Sequence, residues 1–317
     1  MAENAPLVSI GLPVYNGERY LAETLDALLT QSYTNIEIII FDNASTDATQ
    51  AICRTYALKD SRVRYYRNER NLGAARNYNL TVEHARGVYF KWAAHDDLCK
   101  PTFIESCIEV LEREPHVVLA YPKTIVIGPK GETIDAQFED HFNIRDEQPH
   151  HRYRRFTFVP LDCNAVFGVM RLAVLRQTPC IGPYESSDRV LLGELALRGE
   201  IAEVPERLFL RRYHPGVSTF RNRTKRKIAR WFHPQASGRF TRSRRFIEYV
   251  KTLWRVPLSP YQRAYCLGFL LLFYMRLYLD PSRWQRIWQA GAFRFEILFR
   301  GRWLASSLRN KRISHVL

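Results

Sequence analysis

Val88-Tyr89-Phe90-Lys91-Trp92-Ala93-Ala94-His95-Asp96-Asp97 is an apolar run that breaks into two adjacent carboxylates. Val88 to Trp92 reads as a short buried strand, and the acidic pair as the turn at its carboxyl end. In an open parallel α/β sheet, ligands bind outside the carboxyl ends of the strands. Asp96 and Asp97 then fall on the ligand side. Paired carboxylates there suit Mg²⁺ or Mn²⁺ held beside a diphosphate. The same pair also suits the start of a helix opening at Pro101, where acidic side chains meet the positive end of the helix dipole. This stretch by itself leaves both readings open.

Working outward toward the N-terminus, strand-like and helix-like segments alternate. Leu7 to Leu12 is an apolar run ending at Pro13, followed by the turn Val14-Tyr15-Asn16-Gly17. Glu18 to Gln31 has helical apolar spacing, and Ile36 to Phe41 reads as a second strand. Asp42-Asn43-Ala44-Ser45-Thr46-Asp47 is a polar loop that offers an N-cap to a helix from about Ala48 to Leu58. Val63 to Tyr66 is a third strand, and Asn71-Leu72-Gly73 opens a helix reaching about His84. This spacing is that of βαβ units, so a mostly parallel, Rossmann-like sheet flanked by helices is expected.

Downstream, Pro101 to Glu114 predicts a helix and Val117 to Tyr121 a strand. Thr124 to Phe138, centred on Gly128-Pro129-Lys130-Gly131, predicts a β-hairpin. Asp140 to Arg155 is polar and rich in His and Arg, which predicts a mobile loop with His141, His150 and His151 solvated. Asn164 to Gly168 leads into a helix near Leu172, Gly182 to Asp188 opens a helix over Arg189 to Arg198, and Ile201 to Leu210 is a further strand. Arg211 to Ser218 comes directly after it.

Four segments stand in order: Pro13-Val14-Tyr15-Asn16, Asp42 to Asp47, Asn71-Leu72-Gly73-Ala74-Ala75-Arg76-Asn77, and Trp92 to Asp97. Each follows a predicted strand or opens a helix. Together they resemble glycosyltransferase family 2, whose catalytic domain has the GT-A fold, over roughly Leu7 to Ser218. The resemblance implies an inverting transfer of sugar from a nucleoside-diphosphate donor, a UDP-sugar being favoured, with Mn²⁺ or Mg²⁺. It places Pro13, Tyr15, Asn16, Glu18, Asp42, Asn71, Gly73 and Arg76 around the nucleotide. His95 and Asp96 come beside it, and Asp97 and His214 at the metal. Asp188 falls at the catalytic base, with Glu185 as the nearby competitor. Arg211, Arg212 and Asn164 fall on the diphosphate and acceptor side. Many members carry three consecutive Asp or Asp-x-Asp, and here His95 takes the first place.

Each of these residues has a plainer reading. Asp42 is the residue type of a turn, Arg76 of a helix surface, and Asp188 of an N-cap or first helical turn. His95 can pack against the turn rather than touch a nucleotide. Arg211 and Arg212 can simply begin a basic loop. Asp42 can accept from a base N–H, Gly73 lets backbone approach a ligand closely, and the dipole keeps Asp188 ionised as a base requires.

The charge is divided along the chain. Of 47 Lys+Arg and 32 Asp+Glu, residues from Arg221 onward hold 22 basic and three acidic, a charge of +19 that leaves −4 for residues 1–220. The expectation is a catalytic domain over 1–220 and a basic helical extension over 221–317. Such asymmetry points to an anionic partner. Leu267 to Leu279 is apolar but too short for a membrane span, which needs about 20 residues. Ser282 to Leu304 places Trp284, Ile287, Trp288, Phe295, Leu298 and Phe299 on one helical face, with arginines mostly off it. That suits a helix lying in a membrane interface, or one packed on the catalytic domain or on a second copy in a homodimer. The tail carries no recognisable nucleic-acid motif, so nucleic acid is not expected as a partner, although it is the rival that the charge alone raises. A sugar-nucleotide pyrophosphorylase, the rival within enzymes, usually opens with a Gly-rich loop and a Lys or Arg after the first strand, and Pro13 to Gly17 is not that. Six cysteines without a CxxC pair, and no secretory signal, fit a reducing cytosol. The enzyme is expected on the cytoplasmic face of the membrane, acting on a sugar or a lipid-linked acceptor.

Overall fold

The computed structural model describes residues 5–139, 142–158, 163–216, 224–235 and 241–279. The N-terminal half is the expected alternation. It runs β1 (Val8–Val14), α1 (Leu21–Leu29), β2 (Ile36–Asp42), α2 (Thr49–Lys59), β3 (Val63–Arg67), α3 (Ala74–Glu83) and β4 (Tyr89–Trp92). Next are β5 (Leu98–Cys99), α4 (Phe103–Arg113), the long β6 (Val117–Ile127) and β7 (Thr133–Asp135). Then come α5 (Pro149–Phe158), a 3₁₀ turn (Asn164–Phe167), β8 (Val169–Arg171), α6 (Leu172–Leu175), α7 (Ser187–Arg198) and β9 (Glu200–Arg212). The C-terminal elements are α8 (Lys225–Phe232), α9 (Thr241–Arg255) and α10 (Pro260–Leu279).

The strands form one sheet in the order β3-β2-β1-β4-β8-β6-β9-β5, with β7 added on β6. The long ladders, β3-β2-β1-β4 and β6 on β9, are parallel. Each antiparallel joint spans only two residue pairs. Every residue of β1, β2 and β4 is buried. Such strands are covered by helices on both faces and therefore read as continuous apolar runs. Leu21, Leu25 and Leu28 of α1 and Phe103, Ile104, Cys107 and Leu111 of α4 share one core with Ile10, Leu12, Ile38 and Ile40.

Three expectations change. β1 runs through Pro13 to Val14, because Pro13 pairs in register with Phe41 between two parallel neighbours. Arg211 and Arg212 end β9 rather than begin a loop. The expected mobile loop before Arg155 holds an ordered helix, α5, with Phe142, Ile144, Tyr153 and Phe156 fully buried ahead of and within it. His150 is buried as well, and His141 lies outside the described residues. Arg152 explains the burial of so polar a segment. Its guanidinium donates to the carbonyls of Ala196 (2.6 Å) and Leu197 (3.3 Å), satisfying the exposed end of α7, and to those of Asp146 and Glu147.

The composition break at 220 does not coincide with the break in packing, which falls between Leu267 and Gly268. Within the first unit, α9 is tied to α7 through Glu194. This carboxylate, 1% exposed, accepts from Arg198 at 2.9 Å and from Arg255 at 2.7 Å. No described helix is long and apolar enough to cross a membrane. The amphipathic stretch from Ser282 to Leu304 lies outside the described residues.

Candidate active site

The carboxyl ends of β1, β2 and β4 meet the turns that succeed them. Asn16 takes a positive φ of 53°. Its backbone N–H donates to Ser45 Oγ (2.9 Å), and its side-chain oxygen accepts from Thr46 N (2.9 Å). Glu18 accepts from Ala48 N at 2.9 Å. Asn16 and Glu18 therefore lash the first turn to the second, while Tyr15 between them stays 40% exposed.

Asp42 is fully buried at the end of β2. Its carboxylate accepts from Ser45 N (2.8 Å) and Tyr65 Oη (3.0 Å), with Arg67 at 3.5 Å. Beside it runs a chain of amides. Asn68 donates to Asn43 and to Asn77, Asn77 donates to Phe41 O, and Asn43 donates to Asn71. Asn71 in turn accepts from Gly73 N at 2.8 Å. Asn68 lies outside the quoted motifs, and although Asn43 and Asn77 fall within them, sequence reading gives neither a role. Gly73 holds φ +84°, the left-handed region open chiefly to glycine. Arg76, one turn into α3, is half exposed and ion-paired with Glu83, as a helix-surface arginine.

The acidic turn is braced from below. The Thr24 hydroxyl of α1 donates to the carbonyls of His95 and Asp97, each at 3.0 Å. The His95 ring fills the space left by Gly17, where a Cβ would come within 2.8 Å of it. Arg212 is spent on the protein. Its N–H donates to Asp97 Oδ1 (2.8 Å), its guanidinium to Asp96 O (2.8 Å) and Glu23 (2.7 Å), and it lies over the Tyr20 ring. The guanidinium expected at the diphosphate thus clamps the turn instead. Lys91, buried in β4, lies beneath it, donating to Trp92 O (3.0 Å) and facing the Phe103 ring.

The two carboxylates differ. Burial works to raise Asp96, but His95 and the hydrogen-bonded His214 outweigh it and hold the group below the usual carboxylate range. Burial and the adjoining charge of Asp96 push Asp97 up to about 7, against the opposing pull of Arg211. His214 Nε2 lies 3.0 Å from Asp96 Oδ2, and its Nδ1 accepts from Gly216 N. The proton therefore sits on Nε2, directed at Asp96.

Asp188 lies in the first turn of α7, where Oδ1 accepts from Arg189 N at 2.8 Å. The loop that delivers it, with half-buried Glu185, is docked on α3 by a reciprocal pair. Asn79 donates to Ile181 O and accepts from Ile181 N, both at 3.0 Å. Asn164 binds Arg211 and donates to Thr124.

Tyr78 links these parts. Its ring lies 6.0 Å from that of Trp92, and among the described residues its hydroxyl has no hydrogen-bond partner. Burial pushes its phenol up first, then the charges of Asp96, Asp97 and Asp188, with Arg211 opposing. Three carboxylates and an arginine from separate parts of the chain therefore act on one hydroxyl. Sequence reading missed Tyr78, whose only signal is its place between Asn77 and Asn79.

Residues 9–177 match the family model described as Glycosyl transferase family 2. An uncharacterized glycosyltransferase of Rickettsia typhi is 35% identical over 144 residues, 45% of this chain and 42% of that protein. One from Haemophilus influenzae is 29% identical over 241 residues, 72% of this chain and 73% of that protein. The chain thus spans less than half the length of the Rickettsia relative. The structure of Staphylococcus aureus TarS 1–349 in complex with UDP-GlcNAc matches with a TM-score of 0.62 at 16% identity, covering 86% of this chain and 72% of that one. The mannosyltransferase PcManGT of Pyrobaculum calidifontis, in complex with GDP-Man and Mn²⁺, matches with a TM-score of 0.52 at 14% identity, covering 87% and 88%. At these identities the likeness is one of fold. The chain belongs to glycosyltransferase family 2 and has the GT-A fold.

Proposed function

We propose that this family 2 glycosyltransferase moves a sugar from a nucleoside-diphosphate donor to an acceptor hydroxyl, with inversion at the anomeric carbon. The observation that carries the reading is the convergence of Asp96, Asp97, Asp188 and Arg211 on Tyr78. The charges of a candidate diphosphate end and of a candidate base bear on the same hydroxyl, which supports their acting together. Asp188 takes the proton of the acceptor hydroxyl as its oxygen attacks the anomeric carbon. The bond from that carbon to the diphosphate breaks, and the diphosphate leaves with its electron pair. Arg211, beside Asp97, offsets the charge that develops.

A divalent cation, Mn²⁺ or Mg²⁺, fits the residues present. Asp96 and Asp97 offer hard carboxylate oxygens, and His214 would add a nitrogen only by giving up its Nε2 proton. Among the described residues no three His, Cys, Asp or Glu side chains already form a metal cage. When bound, the cation would neutralise the leaving diphosphate. Tyr15, Asn71 and Gly73 would surround the nucleotide, with buried Asp42 bracing the Ser45 turn behind them and Pro13, Asn16 and Glu18 shaping the turn beneath. UDP-sugars are favoured as donors, in line with the UDP-GlcNAc bound to TarS.

The acceptor proposed is a sugar or lipid-linked hydroxyl at an anionic, cytoplasmic membrane face. The +19 charge of residues 221–317 and the exposed Ile247 and Trp254 of α9 support that reading. A thermal-shift screen of UDP-, GDP- and TDP-sugars with and without Mn²⁺ tests the core of it. One donor should raise the melting temperature more with Mn²⁺ than without. Indifference to all of them would sink it.

A further inference from the structure

Gly73 is expected to let a ligand approach the backbone, yet what approaches it is the chain's own C-terminal half. A Cβ at Gly73 would lie 2.5 Å from Phe232 O, 2.9 Å from Pro234 Cδ and 3.0 Å from His233 Cα. The contacting segment is well formed. Thr224 caps α8 by accepting from Lys227 N, Ala229 is buried, and His233 N closes the helix on Ala229 O at 2.9 Å. Pro234 then prevents its continuation. Arg226, Lys227 and Arg230 of this helix are exposed, as suits the neighbourhood of an anionic ligand. The cover is partial. Gly73 is buried, while Tyr15 and Asn71 remain exposed.

We propose that Phe232, His233 and Pro234 form the outer wall of the nucleotide pocket, so that residues beyond the composition break help to hold the donor's nucleotide. The inference rests on the reading of Tyr15, Asn71 and Gly73 as the nucleotide site. A wall of this kind fixes affinity for the nucleotide and leaves the chemistry at Asp188 untouched. Gly73→Ala cannot test it cleanly, since the positive φ strains any side chain there.

The test uses the full chain carrying His233→Ala and Pro234→Gly together, titrated with UDP and with GDP in the presence of Mn²⁺. The nucleotide that the unsubstituted protein prefers should bind about tenfold more weakly, equivalent to losing one good contact. Turnover at saturating donor should stay within about twofold, as expected for binding shared by ground and transition states. If the double variant melts early, Pro234→Ala alone reads the same contact and should shift affinity in the same direction. Unchanged affinity overturns the wall. Tighter binding also overturns it, since the segment would then be a plug. If the unsubstituted protein binds neither nucleotide, the nucleotide-site reading falls and the wall with it, an outcome distinct from failure of the wall alone.

Discussion

Asp42 and Asp97 are both buried carboxylates at or just beyond the ends of parallel strands, but their charges are answered differently. Asp42 is met by a backbone N–H, a tyrosine hydroxyl and an arginine, all from the protein. Asp97 receives one N–H, from Arg212, and sits beside a second carboxylate. The first site is complete as it stands. At the second, burial and then the adjoining charge of Asp96 push Asp97 up to about 7, against the pull of Arg211 and Lys91. Burial alone therefore does not tell a structural acid from one awaiting a ligand. The distinction lies in whether the surrounding groups already satisfy it.

Replacing Asp97 sharpens this contrast most. Asp97→Ala should lower sugar transfer by about 10⁴ or more and abolish the dependence of nucleotide binding on Mn²⁺. The fold should persist, because the variant relieves a like-charge contact. Near-normal turnover would make Asp97 another Asp42. Asp188→Asn comes next, with an expected loss of about 10²–10⁴ in turnover and unchanged donor binding. Should Glu185→Gln prove the crippled variant, the base has been assigned to the wrong carboxylate.

Asp42→Ala should act the other way, on stability. It strands Ser45 N and Tyr65 Oη, and a loss of about 2–4 kcal/mol in urea denaturation is expected. Asp97→Ala should show no comparable loss, and equal destabilisation by the two would erase the comparison. The smallest effect concerns His150. Its Nδ1 is buried without a partner among the described residues, against His151, Tyr261 and Tyr265. Burial, then the charge of His151, holds its pKa below the usual value. The unfolded chain therefore takes up a proton first, and stability should fall as pH drops below about 6.5. His150→Gln should flatten that part of the stability profile. A slope as steep in this variant would assign it to another group.

The half of the fold built from apolar runs was readable, because β1, β2 and β4 are buried on both faces and their carboxyl ends carry the polar motifs. α5 was not. Its inward positions include His150 and Arg152, whose burial is offset by ring contacts and by carbonyls at the end of α7, and hydropathy cannot register partners contributed from elsewhere in the fold. Pro149, at the first position of that helix, was the available local signal. The acidic turn was readable as a motif, but its supports were not. Thr24, Lys91 and Arg212 reach it from three separate elements, and only the tertiary structure brings them together. Arg211 and Arg212 are adjacent and chemically identical. Strand alternation sends one toward the carboxylates and Asn164, and the other into a clamp.

The ion triad of Glu194, Arg198 and Arg255 bears on how this chain can be cut and recombined. A chimera joined at the composition break would keep Glu194 and lose Arg255, leaving a buried carboxylate that had shared two cations with only one. A junction beyond Leu267 would carry both. The basic extension is thus not an exchangeable cassette along its whole length. Its first helices are inherited with the catalytic body, and only the residues past that junction are available for swapping.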